Sequence, residues 1–223
     1  MDSARIAALL HPFLERTLPE VPLRQISTYI DLLLRWNARI NLTAVRHPDE
    51  IVTRHFGESL FLARHLFPGE KHVGTAAPGC PAERSSAAVL DIGSGAGFPG
   101  LPLKIWAPAI SLTLVESNHK KAAFLREVIR ALTLTDVNVI TARAETLPGA
   151  LPPADVVTLR AVERFDSILP VALRLLAPTG RLALLIGSAQ LPTLATLAHT
   201  LRWQPPIPIP QSHSRVLSIS VPQ

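Results

Sequence analysis

A glycine-rich turn directly after a short apolar run constrains this chain more than any other feature. The run 88–90 ends on Asp91, and Gly93, Gly95 and Gly97 follow at alternate positions. This pattern predicts a buried strand that breaks into a tight turn, where the missing Cβ atoms permit φ > 0 and the close approach of a ligand. Because such turns at the carboxyl ends of parallel strands hold nucleotide-like ligands, we expect a nucleotide-derived cofactor.

Two glycine spacings overlap in this turn, and they favour different cofactors. Gly95, Gly97 and Gly100 fit G-x-G-x-x-G, the pattern that places a dinucleotide pyrophosphate on a helix N-terminus. Asp91, Gly93, Gly95 and Gly97 fit D-x-G-x-G-x-G instead, which is similar to the first motif of Rossmann-like S-adenosylmethionine (SAM) methyltransferases. Each pattern alone leaves both cofactors open.

The residues around the turn favour SAM over a dinucleotide. Pro99 and Pro102 disfavour a pyrophosphate helix, because that helix needs free amides that proline lacks. Asp91 would repel a pyrophosphate, whereas its carboxylate suits the cationic amino-acid moiety of SAM.

The next predicted strand, 111–116, ends on a second acidic residue. Glu116 lies 25 positions after Asp91, and an acidic side chain at this place is suited to hydrogen bonding with a ribose diol. This interpretation fits SAM and NAD equally. The alternative is that Glu116 only caps the helix that follows.

Composition limits the class of protein and its partners. The 223 residues are enough to bury a substantial core, and no run reaches the roughly 18 apolar residues of a membrane span. A single cysteine, Cys80, excludes an internal disulfide and fits a cytoplasmic protein. The net charge of +5 favours a polyanionic partner, while the 5% aromatic content argues against a platform for stacking single-stranded bases.

Hydrophobic periodicity divides the chain into three parts. Residues 1–68 have helical spacing, 69–87 have none and are predicted to be a loop or linker, and 88–223 alternate strands with helices, which implies βαβ units and a parallel sheet. The predicted strands are 88–92, 111–116, 137–141, 155–160, 180–187 and 214–221, and the predicted helices are 99–106, 118–132, 162–177 and 190–202. The proline-rich run 204–210 is expected to be extended.

Several motifs follow one another in a fixed order between residues 32 and 187. They are Trp36–Thr43, Arg54-His55, Val89–Leu103, Lys120-Lys121, Arg143–Glu145 and Leu159–Ala161. This arrangement resembles the small-subunit ribosomal RNA methyltransferase G family, also known as glucose-inhibited division protein B. The resemblance implies an α/β fold: a Rossmann-like class I SAM-dependent methyltransferase sheet over 88–223, with an N-terminal helical extension packed on it.

The resemblance also implies a reaction and its partners. The reaction is SAM-dependent N7-methylation of one guanine in the 530 loop of 16S rRNA, with the rRNA or the small ribosomal subunit as partner. We expect a monomer without a metal or a membrane contact. The alternative is a SAM-dependent methyltransferase that acts on another RNA or on a small molecule. An NAD-dependent oxidoreductase and a non-enzymatic RNA-binding protein are further alternatives, although the sequence shows no hydride-accepting site and retains the cofactor motif.

Site residues follow from the motifs and from the resemblance together. The expected cofactor-binding residues are Asp91, Gly93, Gly95, Gly97, Phe98, Glu116, Ala144, Glu145 and Arg160, of which Ala144 and Glu145 would border the adenine. The expected substrate-binding residues are Arg54, His55, Lys120, Lys121, Arg160 and Arg215. Because guanine N7 is already nucleophilic, positioning should suffice for catalysis. No catalytic residue is therefore assigned, and Arg54 and His55 are the candidates.

The chain departs from the family at four places. Glu58 stands where an aspartate is common, Ile186 replaces a frequent lysine, the segment 69–87 is longer than usual, and the tail lacks the lysines often found there. These departures concern the contacts with RNA rather than the predicted cofactor turn.

Overall fold

Strands and helices alternate from residue 88 onward, and the strands form one sheet. The computed structural model describes residues 1–68, 87–161 and 164–221. Within these ranges the strands are β1 (Ala88–Ile92), β2 (Ser111–Val115), β3 (Val137–Ile140), β4 (Ala154–Arg160), β5 (Leu176–Gly187), β6 (Arg202–Trp203), β7 (Ile207–Pro208) and β8 (Arg215–Val221). The predicted α/β class is confirmed.

The strand order is β3-β2-β1-β4-β5-β8-β6, and β7 pairs with β8. The strands β1 to β5 are parallel, and β8 runs antiparallel to β5. The order reverses between β1 and β4, so their carboxyl ends open a crevice at the switch point where open α/β sheets bind ligands. The glycine-rich turn follows β1 at that crevice.

Helices cover both faces of the sheet. They are α1 (Ser3–Leu10), α2 (Glu20–Asn37), α3 (Pro48–Glu50), α4 (Glu58–Leu66), α5 (Gly100–Trp106), α6 (His119–Ala131), α7 (Phe165–Arg174) and α8 (Leu191–Leu197). The helices α1, α2, α4, α5 and α6 share a hydrophobic core with one face, and α7 and α8 cover the other. Alternate residues of β1 divide between the two cores, with Val89 in the first and Leu90 and Ile92 in the second.

Residues 1–68 are largely helical, as their spacing predicts, but one segment among them is not α-helical. Residues Ile51–Gly57, between α3 and α4, form a π-helical segment that carries both Arg54 and His55. Such segments are rare in proteins and are frequent at functional sites. A Cβ on Gly57 would lie 2.7 Å from the Phe13 ring, so the close approach of the first helices requires glycine there.

Three other predicted boundaries differ from the structure. The strand predicted at 180–187 begins at Leu176, because Leu176 already pairs with Ala154 of β4. The helix predicted at 162–177 therefore ends at Arg174, and its first two residues lie outside the described ranges. The helix predicted at 190–202 ends at Leu197, before the short strand β6. The linker predicted at 69–87 lies outside the described residues except for Ala87.

The long helix α2 supports the glycine turn from below. Tyr29, which is fully buried, donates its hydroxyl hydrogen to the carbonyl of Ala96. Its ring stacks on Phe98 with centroids 5.3 Å apart, and it meets the edge of Phe56 at 5.2 Å. The N-terminal helices therefore hold the turn in place through one phenol.

We expect Tyr29→Phe to lower the free energy of unfolding by about 1–3 kcal/mol, because the buried Ala96 carbonyl loses its donor while the ring packing is kept. Urea denaturation monitored by circular dichroism measures this difference. The matched control is Ser218→Ala, which removes a buried hydroxyl that has no hydrogen-bond partner among the described residues. That control should not lose stability. Equal stability of Tyr29→Phe and the wild type would contradict the assigned role.

Candidate functional site

Asp91 lies beneath the glycine turn rather than beside a ligand cavity. Its Oδ1 accepts a hydrogen bond from Thr158 Oγ1 at 2.7 Å, and its Oδ2 accepts one from the Gly100 amide at 3.3 Å. Burial raises the pKa of Asp91 from 3.8 to about 6, and the hydrogen bonds from Thr158 and Gly100 oppose that rise. The expected direct contact of Asp91 with a cationic ligand is therefore replaced by a structural tie between β1, β4 and α5.

The glycines of the turn serve two different purposes. Gly93 and Gly95 have φ of 70° and 58° and line the cavities described below. A Cβ on Gly97 would instead collide with Tyr29 and Leu101. Gly97 was expected to bind cofactor, but it lines neither of these two cavities, and its missing side chain makes room for α2 and α5.

Gly100 explains why the dinucleotide pattern occurs here without its ligand site. A Cβ on this residue would lie 2.5 Å from Leu114 Cδ2 and 2.8 Å from Asp91 Oδ2. The Gly100 amide at the start of α5, which a pyrophosphate would need, is already bonded to Asp91. The G-x-G-x-x-G spacing therefore reflects packing between a helix and a strand.

Glu116, at the end of β2, holds the turn and also faces the cavity. Its Oε2 accepts from the Gly95 amide at 2.9 Å, and its Oε1 accepts from the Asn118 amide at 2.7 Å. Each carboxylate oxygen has a further lone pair for a second donor such as a ribose hydroxyl. The cap of α6 is Asn118, whose side chain accepts from the amides of Lys120 and Lys121. The alternative in which Glu116 only caps this helix is therefore wrong.

Two adjoining cavities open at the carboxyl ends of β1, β2 and β4. The larger has a volume of about 450 Å³, within the range typical of small-molecule sites. Its walls combine the apolar side chains of Ile92, Val115, Ala144 and Ile168 with the polar ones of Glu116, Lys121, Arg143 and Glu145. The smaller cavity, of about 230 Å³, is bordered by Thr43, His55, Gly95, Phe98 and Arg160. Gly93, Glu116, Lys121 and Ala161 line both.

A buried carboxylate joins three distant parts of the chain at the smaller cavity. The Glu58 side chain, 3% exposed, lies 3.1 Å from Arg160 and 2.5 Å from Arg215. Burial raises the pKa of Glu58, and the two guanidinium groups oppose that rise. Arg160 also donates to the carbonyl of Arg54 at 2.7 Å. Both arginines were expected to meet the ligand, and in the structure both are bound to Glu58.

His55 is held as a neutral ring. Its Nδ1 lies 3.1 Å from an Arg160 nitrogen that is always a donor, so Nδ1 accepts and the proton resides on Nε2. Nε2 then donates to Thr43 Oγ1 at 2.8 Å, and the ring stacks on Phe98 at 4.8 Å. Burial, and then the charge of Arg160, lower the pKa of His55 from 6.5 to about 3. His55 therefore positions neighbouring groups and is not equipped for proton transfer at neutral pH.

Only some of the remaining predicted site residues line the two cavities. Lys121, Ala144 and Glu145 border the larger cavity, and Glu145 lies 3.6 Å from Arg164. The Arg54 side chain is exposed, and Lys120 lies outside both cavities.

Sequence reasoning missed three polar residues of the site. Glu58, Thr43 and Thr158 anchor arginines, His55 and Asp91, respectively. Thr158 had a detectable signal, because a polar residue within an apolar strand segment needs a buried partner. Glu58 had no comparable signal, since its partners Arg160 and Arg215 lie more than 100 residues away along the chain.

Within the described ranges, no group of three or more His, Cys, Asp or Glu residues is placed to hold a metal ion. No helix in the same ranges is both long and apolar enough to cross a membrane.

The fold is that of the class I SAM-dependent methyltransferases. A ribosomal protein L11 methylase from Lactobacillus delbrueckii subsp. bulgaricus superimposes with a TM-score of 0.57 at 14% identity, over 76% of this chain and 79% of that one. At that identity the likeness concerns the fold alone.

Sequence comparison defines the family within this class. The family described as rRNA small subunit methyltransferase G matches residues 22–204. A ribosomal RNA small subunit methyltransferase G of Chloroflexus aggregans is 43% identical in an alignment of 167 positions that covers 70% of this chain and 63% of that protein. The matched part thus spans just under two thirds of that relative. One from Xanthomonas axonopodis pv. citri is 39% identical over 84% of this chain and 82% of its own length. The chain belongs to the rRNA small subunit methyltransferase G family.

Two buried groups of the site make stability depend on pH in opposite directions. His55 has a folded pKa below its ordinary value, so the unfolded chain binds more protons between about pH 3 and 6.5. Its contribution is complete above pH 6.5 and is lost as the pH falls towards 3. Asp91 has a raised pKa, so its contribution is complete below pH 3.8 and is lost as the pH rises through about 6. Each group contributes a slope of about 1.4 kcal/mol per pH unit, so the two opposite contributions nearly cancel between pH 3.8 and 6.

We therefore expect the free energy of unfolding of His55→Gln to fall relative to that of the wild type as the pH rises from 4 to 6.5, by up to about 1.4 kcal/mol per pH unit, because the substitution removes the rising contribution and keeps the falling one. Urea denaturation at a series of pH values measures the two slopes. His47→Gln, at an exposed position, is the control and should keep the wild-type slope. An unchanged slope in His55→Gln would show that this ring is not buried neutral in the folded protein.

Proposed function

We propose that this protein is a SAM-dependent methyltransferase that modifies N7 of one guanine in 16S rRNA. Membership of the rRNA small subunit methyltransferase G family supports this activity. The observation that carries the proposal is the cavity of about 450 Å³ bordered by Gly93, Glu116, Ala144 and Glu145 at the switch point of the sheet. It lies at the crevice where open α/β sheets bind their ligands.

The residues present fit SAM. Gly93 and Gly95 offer bare backbone at the cavity, and the free lone pairs of Glu116 suit the two ribose hydroxyls. The apolar wall beside Ala144 and Ile168 suits a flat adenine, with Glu145 at its edge. When bound, SAM supplies an electrophilic methyl group on a sulfonium centre. The residues of this chain have to hold that donor and exclude water from it.

The reaction needs no general base, because guanine N7 carries an exposed lone pair and no proton. The two buried groups nearest the turn are consistent with that requirement. The lone pair of His55 Nδ1 is committed to Arg160, and both oxygens of Asp91 are committed below the turn. Catalysis by positioning alone can supply about 7–11 kcal/mol in favourable cases.

The substrate face of the site lies on the π-helical segment and on the smaller cavity. Arg54 is exposed there, and its side chain makes no hydrogen bond or ion pair within the described part of the chain. A guanine within folded RNA has to be extruded to reach the donor, at a cost of a few kcal/mol. Contacts between basic side chains and phosphates would supply much of the affinity, which should fall steeply with salt.

The second candidate is a SAM-dependent methyltransferase for another RNA or for a small molecule. The adjoining cavity of about 230 Å³ could hold a single ring as well as an extruded base. Salt separates these candidates, because binding of a small neutral molecule should change little between about 50 and 200 mM salt, whereas RNA binding should weaken by orders of magnitude.

We expect Gly93→Arg to abolish SAM binding in isothermal titration calorimetry while the protein stays folded, because the side chain would occupy the cavity. The matched control is Gly149→Arg, since Gly149 also has positive φ, at 84°, and lines neither cavity. A Cβ added to Gly149 would meet nothing within 4 Å. The control should bind SAM as the wild type does. Normal binding by Gly93→Arg would refute the assignment of the cavity.

We expect Arg54→Ala to bind SAM with wild-type affinity and to methylate 16S rRNA at least about tenfold more slowly, because it loses a phosphate contact on the substrate side. Incubation of rRNA with radiolabelled SAM, followed by mapping of N7-methylguanine through strand cleavage, measures rate and position together. Arg130→Ala, at an exposed position in the last turn of α6, is the control. Methylation at wild-type rate by Arg54→Ala would remove Arg54 from the substrate site, and the absence of N7-methylguanine with wild-type protein would reject the proposed reaction.

A further inference from the structure

A third cavity lies between the end of α2 and the first turns of α6. Its volume is about 320 Å³, and it shares no lining residue with the two cavities of the candidate site. The lining residues are Trp36, Arg39, Ile40, His119, Lys120 and Ala123. Lys120 is the neighbour of Lys121, which lines both of the other cavities. The first turn of α6 therefore contributes residues to all three cavities.

The floor of this cavity is a tryptophan in a fixed orientation. Trp36 donates its indole Nε1–H to Glu127 Oε2 at 3.0 Å. Its ring meets Phe124 at a centroid distance of 5.7 Å with an interplanar angle of 60°. The half-buried indole is thus held by two contacts. A ligand that stacks on this ring would therefore not pay the entropic cost of immobilising the side chain.

The rim of the cavity is basic. Arg39, His119 and Lys120 are exposed there, and none of the lining residues is acidic. The nearby Glu127 carboxylate is engaged by the indole N–H. An apolar aromatic floor with a cationic rim is complementary to a flat base attached to a phosphate.

We propose that this cavity binds one unpaired nucleotide of the RNA substrate, with its base on Trp36 and its phosphate between Arg39 and Lys120. This inference rests on the proposed function, since it takes RNA to be the substrate. The low aromatic content argues against a platform for a row of bases, but a single indole is enough for this contact because it serves one base. The contact would hold RNA next to the extruded guanine and would tolerate any base, because every base has a π-face.

The test compares two labelled probes of the same length by fluorescence anisotropy. One is a hexaadenylate RNA, and the other is an abasic ribose-phosphate hexamer. Trp36→Leu should weaken binding of hexaadenylate at least about fivefold and leave the abasic probe unchanged, whereas Trp36→Phe should retain most of the affinity. Arg39→Ala should weaken both probes. If Trp36→Leu binds hexaadenylate like the wild type, or loses both probes equally, the stacking contact is refuted.

A second pair of variants avoids the packed tryptophan. Ala123 is exposed on α6 and lines the cavity, so Ala123→Glu introduces a negative charge there and Ala123→Gln is its matched neutral control. Ala123→Glu should bind both probes more weakly than Ala123→Gln. Equal binding by these two variants would contradict a phosphate at this rim.

Calorimetry with SAM on the same variants separates this inference from the proposed function. All of them should bind SAM as the wild type does. A wild type that binds hexaadenylate through Trp36 but binds no SAM would reject the methyltransferase and keep the RNA contact. A Trp36→Leu variant that binds hexaadenylate normally but binds assembled small subunits weakly would show that a protein occupies this cavity, which overturns the proposal.

Discussion

The carboxylate of Asp91 is the constraint on which the arrangement of the site depends. One oxygen binds a threonine on the neighbouring strand β4, and the other binds the first amide of α5. The buried carboxylate therefore links β1 to β4 and to the start of α5. These two hydrogen bonds fix the path of the glycine turn between β1 and α5. A charge buried without such partners would be strongly unfavourable, so the partners and the carboxylate require one another.

The N-terminal helices belong to the site as well as to the core. Tyr29 supports the turn from α2, and His55 stacks on Phe98 from the π-helical segment. Glu58, at the start of α4, then binds an arginine from β4 and another from β8. The helical region and the sheet therefore build the smaller cavity jointly, and a change in either would move groups on the other.

Much of the fold and part of the site could be predicted from local sequence. The alternation of strands with helices is a local property, so the parallel sheet and the position of the turn followed from it. Glu116 could be placed because a strand end is a defined point on the cavity edge. By contrast, the partners of Asp91 could not be identified, since Thr158 lies 67 residues away and its pairing depends on strand register.

The arginines of the site show the same limit of prediction from local sequence. Arg160 and Arg215 were predicted to be free for ligands because a sequence displays charge but does not display which carboxylate it meets. Their common partner, Glu58, had been noted only as a variant of aspartate. Gly97 and Gly100 are a related case, since their spacing resembles a ligand motif while the missing side chains make room for neighbouring residues.

The tie between Glu58 and its two arginines has a consequence for biosynthesis. Arg160 leaves the ribosome 55 residues before Arg215, which belongs to the last strand in the described part of the chain. Until that strand docks, Glu58 has only half of its counter-charge and the wall that it anchors is incomplete. A polypeptide that ends before β8 would thus lack one of the two guanidinium groups that hold Glu58 in place.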